Sequence, residues 1–143
     1  MNDSLKHREL TDTIIGVFYD VYNELGFGFL ESVYENAMVI SLVEKDLTVE
    51  QQAPIPVWFR GRSIGKFEAD LIVERAVIVE LKAVSQLSEA HVAQLMHYLR
   101  ATDIEVGLVM NFGQRPDFKR RVFENTRKSS QPEKSLVPEA TLN

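Results

Sequence analysis

Along the first quarter of the chain the apolar residues Ile14, Ile15, Phe18, Val21, Tyr22 and Leu25 recur every three or four positions. That period predicts an amphipathic helix, opened by Thr11 as N-cap and ending near Gly26. After Gly26-Phe27-Gly28 the pattern resumes with Leu30, Val33, Tyr34, Ala37, Met38, Ser41 and Leu42, and Lys45-Asp46 close it, which predicts a second helix. From Leu47 the texture changes to short runs rich in Val, Ile, Phe and Trp, with turn signals at Gly61-Arg62 and Glu74-Arg75. These runs predict strands at about 47–52, 55–60, 63–73 and 76–82. Ser88 is placed to cap a third helix carrying Val92, Leu95, Met96 and Leu99, and 106–111 reads as a buried strand. Helix, helix, antiparallel strands, helix, strand is the order of a mixed α/β layer fold. Residues 1–125 form one expected domain. The remainder, 126–143, has few large apolar residues and is expected to be a mobile tail, because it has little surface to bury against its ordering entropy.

Composition narrows the chemistry. The chain has 143 residues, 45% apolar and 26% charged, enough for one sizeable core. With no cysteine and only His7, His91 and His97, thiol catalysis, disulfides and cysteine–zinc sites are excluded, so any metal would be held by oxygen. The polar N-terminus does not resemble a signal peptide and no apolar run is long enough to cross a bilayer, so a cytoplasmic protein with no membrane association is expected. A net charge of -5 argues against nonspecific coating of nucleic acid. Locally, however, Arg115, Lys119, Arg120, Arg121, Arg127 and Lys128 stand against only Asp117 and Glu124. That run fits phosphate contacts or an ordinary solvated face.

Three motif look-alikes carry little. Gly61-Arg62-Ser63-Ile64-Gly65 spells the G-x-S-x-G of a nucleophile elbow but joins two predicted strands instead of a strand and a helix. Gly26-Phe27-Gly28 follows a helix and lacks the third glycine of a dinucleotide fingerprint. His91 and His97 are six apart, which on a helix separates them.

The informative stretch is 67–82. Two apolar strands, 71–73 and 77–79, flank the turn Glu74-Arg75-Ala76, and each has an acid at its far end. Pairing 73 with 77, 72 with 78 and 71 with 79 sets Asp70 opposite Glu80, with side chains starting ~5 Å apart. Lys82 shares the Glu80 face by period-2 alternation. Two carboxylates and a lysine at the end of an apolar sheet suit a hard cation such as Mg²⁺. From spacing alone, a solvated hairpin end with Lys82 neutralising an acid fits equally well.

Asp70 followed by Glu80-x-Lys82 resembles the signature of the PD-(D/E)XK nuclease superfamily. Gly28-Phe29-Leu30-Glu31-Ser32-Val33-Tyr34 resembles the G-x-x-E-x-x-Y motif of its GxxExxY family, and Gln94-Leu95-Met96-His97-Tyr98 the Q-x-x-x-Y element of RecB-like nucleases. The resemblance covers residues 10–125. Phe27 stands where proline is usual, and Ala69 where the superfamily often has proline before its aspartate. The resemblance implies a restriction-endonuclease-like α/β core, a mixed four- to five-stranded sheet flanked by helices. It implies hydrolysis of phosphodiester bonds in DNA or RNA by water activated by Mg²⁺, with Mn²⁺ as a substitute. Asp70, Glu80, the Leu81 carbonyl and Glu31 would then be metal ligands. Lys82 would position or activate the water, with Glu31, Asp70 and Glu80 completing the catalytic group. Gln94, Tyr98 and Tyr34 would contact substrate. The alternative is a catalytically silent nuclease-like module, binding or regulatory, in a homodimer or a larger complex with a protein partner.

Overall fold

The two apolar stripes at the start of the chain form α1 (Arg8–Leu25) and α2 (Glu31–Val43). The structure is a computed structural model and describes residues 7–128. α1 starts earlier than the expected cap. Thr11 is buried inside its first turn, where its hydroxyl donates to the carbonyls of Arg8 (3.0 Å) and His7 (3.2 Å). Then come β1 (Val49–Phe59), β2 (Arg62–Val73), β3 (Val77–Lys82), α3 (Glu89–Ala101), β4 (Val106–Asn111), β5 (Asp117–Val122) and a short 3-10 turn, Asn125–Arg127.

The strands make one mixed five-stranded sheet in the order β1-β2-β3-β4-β5. All pairs are antiparallel except β3 with β4, whose parallel pairing needs the crossover that α3 supplies. The expected strands 47–52 and 55–60 are one strand, β1. Pro54 and Pro56 suggest an interruption in the sequence, but β1 is a sheet edge, where a missing N–H can face away from the partner strand. The same prolines take donors off that edge and hinder pairing with another chain. β5 has no apolar run to announce it. Phe118, Arg120 and Val122 share the α1 side of the sheet, where Phe118 and Val122 join the core and Arg120 reaches Thr11.

Two cores lie on the two faces. α1 and α2 bury Ile14, Phe18, Tyr34 and Met38 against Leu71, Val73, Val79, Leu81 and Met110. α3 buries Leu95, Tyr98 and Leu99 against Ala53, Ile55, Ala69, Ile72 and Ile78. Strict alternation would place Ala69 on the face of Leu71, yet Ala69 lies in the α3 core. The same slip occurs in β1, where Val49 packs on the α1/α2 side and Ala53 on the other. Both strands therefore change pleat between Leu71 and Ala69 and between Gln51 and Ala53, at Asp70 and Gln52. Gln52 has the left-handed φ of 51° that such an irregularity requires.

Tyr34, expected among the substrate-binding residues, is fully buried. Its ring stacks on Phe112 at 4.2 Å, and its hydroxyl donates to the Gly26 carbonyl (2.6 Å) while accepting from the Phe29 N–H (3.2 Å). It closes the α1–α2 connection and sets where α2 begins; it is packing, not a substrate contact. At the other end, residues 126–128 of the expected tail are held to the domain, with Lys128 Nζ donating to the carbonyls of Thr102 (2.9 Å) and Ile104 (2.8 Å). Residues 129–143 lie outside the described residues. No described helix is long and apolar enough to cross a membrane.

Replacing Tyr34 with Phe leaves two polar groups of the connector without a partner. It should cost about 1–3 kcal/mol, seen as a lower midpoint in denaturant unfolding. A Cβ on Gly107 would stand 2.5 Å from Leu95 Cδ1. Gly107→Ala should therefore push α3 off β4 and cost about 1–3 kcal/mol in the same measurement.

Candidate active site

Pairing of β2 with β3 runs Val73↔Val77, Ile72↔Ile78 and Leu71↔Val79, the register expected from a three-residue turn, and then stops. Where Asp70 would pair with Glu80, side chains take over from backbone. The Asp70 N–H donates to Glu80 Oε2 (2.7 Å) and the Leu81 N–H donates to Asp70 Oδ2 (2.7 Å). Each acid thus accepts a backbone hydrogen bond from the other's strand. Charge-assisted bonds of this kind fix both carboxylates in a wedge between the parting strands. Glu80 is only 4% exposed.

On the other side of β3 the ladder is intact, with the Lys82 carbonyl accepting from the Phe112 N–H (2.7 Å). In a strand the N–H and C=O of one residue point the same way, and successive residues alternate. The Leu81 carbonyl therefore points with its N–H toward the opening at Asp70. The loop after Lys82 is tied down by the buried Asn111. Its Oδ1 accepts from the Val84 N–H and its Nδ2 donates to the Val84 carbonyl, both at 2.9 Å. Gly113 completes the clasp, since a Cβ there would overlap the Val84 carbonyl.

The acid that α2 brings to this wedge is Glu35, which no motif flagged. Its carboxylate accepts from Gln52 Nε2 (2.8 Å) and Gln51 Nε2 (2.6 Å), and Gln52 Nε2 also reaches Asp70 Oδ1 at 3.4 Å. Gln51 makes a further bond to Asn36 Oδ1 at 2.8 Å. Glu31 lies one helical turn before Glu35 on the same side of α2, exposed to solvent. The signal for Glu35 was its place in the helical stripe one turn after Glu31, which an eye set on G-x-x-E-x-x-Y passes over. From α3, Tyr98 is 4% exposed and its ring lies 5.2 Å from that of Phe67 on β2. Gln94 is exposed one turn before it. His91 has a local task, its Nδ1 accepting from the Ser88 N–H (3.1 Å) at the start of α3.

A family profile described as PD-(D/E)XK nuclease superfamily matches residues 8–122. The chain belongs to that superfamily. The crystal structure of SSO0001 shares its fold, with a TM-score of 0.52 at 17% sequence identity over 82% of this chain. The chain corresponds to 60% of the length of that structure. No curated protein sequence matches it.

PD-(D/E)XK nucleases generally use divalent metals, and the donor set suits one. Asp70, Glu80 and the Leu81 carbonyl present oxygen only, and the two carboxylates crowd each other's charge. Burial first and then the charge of Asp70 push the Glu80 carboxyl up to about 8, against the pull of the Asp70 N–H and Lys82. Burial also raises Asp70, opposed by the Leu81 N–H bond, while Glu35 adds to the rise and Lys82 and Gln52 oppose it. Tyr98 is pushed up to about 12 by burial and by Glu80 and Asp70. Among the described residues no three His, Cys, Asp or Glu side chains are grouped to hold a metal. A cation here would keep several waters, as Mg²⁺ prefers.

Because the Glu80 carboxyl is raised above its ordinary 4.5 to about 8, the folded protein binds the extra proton across that interval. Its contribution to stability is full below about 4.5 and is lost as pH rises through about 8. In EDTA, the melting temperature should therefore fall between these limits. Glu80→Gln should flatten the decline, and Mg²⁺ should raise the melting temperature more at the alkaline end than at the acid end. A wild-type profile that rises toward pH 8 in EDTA would show that the wedge does not carry this charge.

Proposed function

We propose that this domain is a metal-dependent nuclease, hydrolysing phosphodiester bonds of DNA or RNA, with Mg²⁺ as its ion and Mn²⁺ as a substitute. The observation that carries the reading is the reciprocal pair of bonds at the end of the β2–β3 ladder, which aims Asp70, Glu80 and the Leu81 carbonyl at one opening. Bound there, the ion supplies Lewis acidity toward a phosphoryl oxygen and makes water nucleophilic near neutral pH.

The chain's own groups do the rest. Asp70 and Glu80 hold the ion, with Glu31 or the Gln52-linked Glu35 as a further carboxylate reached through water. The charge of Lys82, felt by both Asp70 and Glu80, orients the attacking water or offsets charge growing on the phosphate. Tyr98, with its pKa pushed up to about 12, keeps its proton and serves as a hydrogen-bond donor. Gln94, one turn away, offers an amide to the substrate backbone. The Gly28–Tyr34 pattern supports placement in the GxxExxY family, although in this chain its tyrosine is structural. A silent binding module, alone or in a homodimer or larger complex, is the second reading. It draws on the absence of a three-acid group among the described residues.

A panel of single-stranded, double-stranded and branched DNA and RNA should reveal cleavage that needs Mg²⁺ or Mn²⁺ and disappears in EDTA. Asp70→Ala and Glu80→Ala should each lower the rate by at least about a hundredfold, and Lys82→Ala by about 10²–10⁴-fold. Cleavage surviving both carboxylate changes would end the nuclease reading, and binding without cleavage on every substrate would favour the module.

A further inference from the structure

The β1–β2 hairpin outruns the sheet it belongs to. β3 pairs with β2 only over residues 71–73, while β1 and β2 stay paired out to Phe59↔Arg62. Residues 54–68 therefore leave the site as a two-stranded ribbon about 20 Å long at ~3.4 Å per residue. Arg60 and Gly61, with φ of 51° and 76°, make its two-residue turn. Its β2 strand is the open one: residues 54–58 of β1 are buried or half-buried, with Ile55 in the α3 core, while on β2 Phe67 touches Tyr98. Residues 62–68 are exposed throughout, Ile64 at 65%, and Phe59 at the tip is 53% exposed.

The ribbon's charge opposes that of the chain. Across 54–68 the bases Arg60, Arg62 and Lys66 stand against Glu68 alone, in a protein with 21 acids and 16 bases. Arg60 lies over the Phe59 ring at 4.8 Å. Among the described residues none of the three bases has a carboxylate partner. The β1–β2 register shifts between Val57 and Trp58, so Arg62, opposite Phe59, and Lys66, opposite Pro56, face opposite sides of the ribbon, and Asp70 is four residues beyond Lys66 on the same strand. A ribbon with unpaired bases on both faces that leads to a phosphodiester-cleaving centre is complementary to phosphate backbones on either side of it. The ribbon's rings are engaged by the protein itself, Phe59 under Arg60, Phe67 against Tyr98 and Trp58 with its indole nitrogen buried, whereas surfaces for single strands interleave bases with free stacking platforms. A two-stranded ribbon is also narrow enough for the ~12 Å major groove of a duplex.

We propose that this ribbon is the arm with which the protein grips duplex DNA. Arg62 and Lys66, on opposite faces of the ribbon, neutralise phosphates of the two backbones that flank it where the duplex continues to Asp70 and Glu80, and the Arg60 turn enters a groove. The proposal rests on the nuclease reading and specifies its substrate as double-stranded.

The test is fluorescence anisotropy of a labelled DNA duplex, and of one of its strands, in EDTA and again in Ca²⁺ over a series of salt concentrations. Arg62→Ala/Lys66→Ala should weaken duplex binding by about tenfold or more and lower the slope of log K against log [salt] by about 2. Arg62→Lys/Lys66→Arg should restore both, which separates charge from folding. An unchanged affinity and slope, with aggregation instead, would mean that the bases merely protect free strand edges, and would overturn the proposal. A single strand bound more tightly than the duplex would overturn it as well. These results would leave the nuclease reading standing if Asp70→Asn still abolished cleavage. Cleavage unaffected by Asp70→Asn would defeat that reading independently of the ribbon.

Discussion

The exchange of hydrogen bonds between Asp70 and the Glu80–Leu81 segment is the constraint on which this protein turns. A regular ladder would satisfy the Asp70 and Leu81 N–H groups with carbonyls and leave two carboxylates adrift at the sheet surface. Here the carboxylates satisfy those groups instead. The strands part, the acids are drawn in, and Leu81 is left with its carbonyl toward the gap. The cost is two carboxyl groups in one poorly hydrated wedge, where burial and the charge of Asp70 push the Glu80 carboxyl up to about 8, so that it keeps a proton at neutral pH. Buried charges persist when hydrogen-bonded and compensated, and Lys82 compensates only in part. A divalent cation that displaces that proton would complete the compensation.

Everything around the wedge keeps it open. The pleat slip at Gln52 and Asp70 turns the hairpin so that its two faces serve different cores on either side of the site. Gln52 bridges Asp70 to Glu35 and so ties the slip to α2. Tyr34 fixes the start of α2, and Asn111 and Gly113 fix the loop after Lys82. Few of these residues can touch substrate; their work is to hold four short elements in register around one gap.

Much of this was legible beforehand, in proportion to how local the signal was. The three helices, the register of the β2–β3 hairpin and the buried strand β4 follow from periodicity and turn chemistry within a few residues. The sequence reads β1 as two strands, 47–52 and 55–60, because continuity through Pro54 depends on the strand being an edge, and edges are assigned by the assembled sheet. β5 was missed because its packing on α1 turns a charged stretch into a strand, and no local pattern carries that contact. The basic run that includes β5 also separates in space. Arg120 reaches Thr11 on α1 at 3.3 Å, while Lys119 and Arg121 border a cavity of about 360 Å³ beside the start of α3.

By itself the sequence determined the chemistry available: no thiols, oxygen ligands, and Asp70, Glu80 and Lys82 spaced so that a tight turn brings them to one end of a sheet. Those properties depend on residue types and short-range geometry, which the chain carries at every stage of folding. Tertiary structure decided which of the remaining groups matter. It buried Tyr34 as a strut, brought Glu35 to the wedge ahead of Glu31, and carried the hairpin that turns at 60–61 out past the site. Contacts between segments tens of residues apart depend on how whole elements pack, and packing weighs every buried face at once.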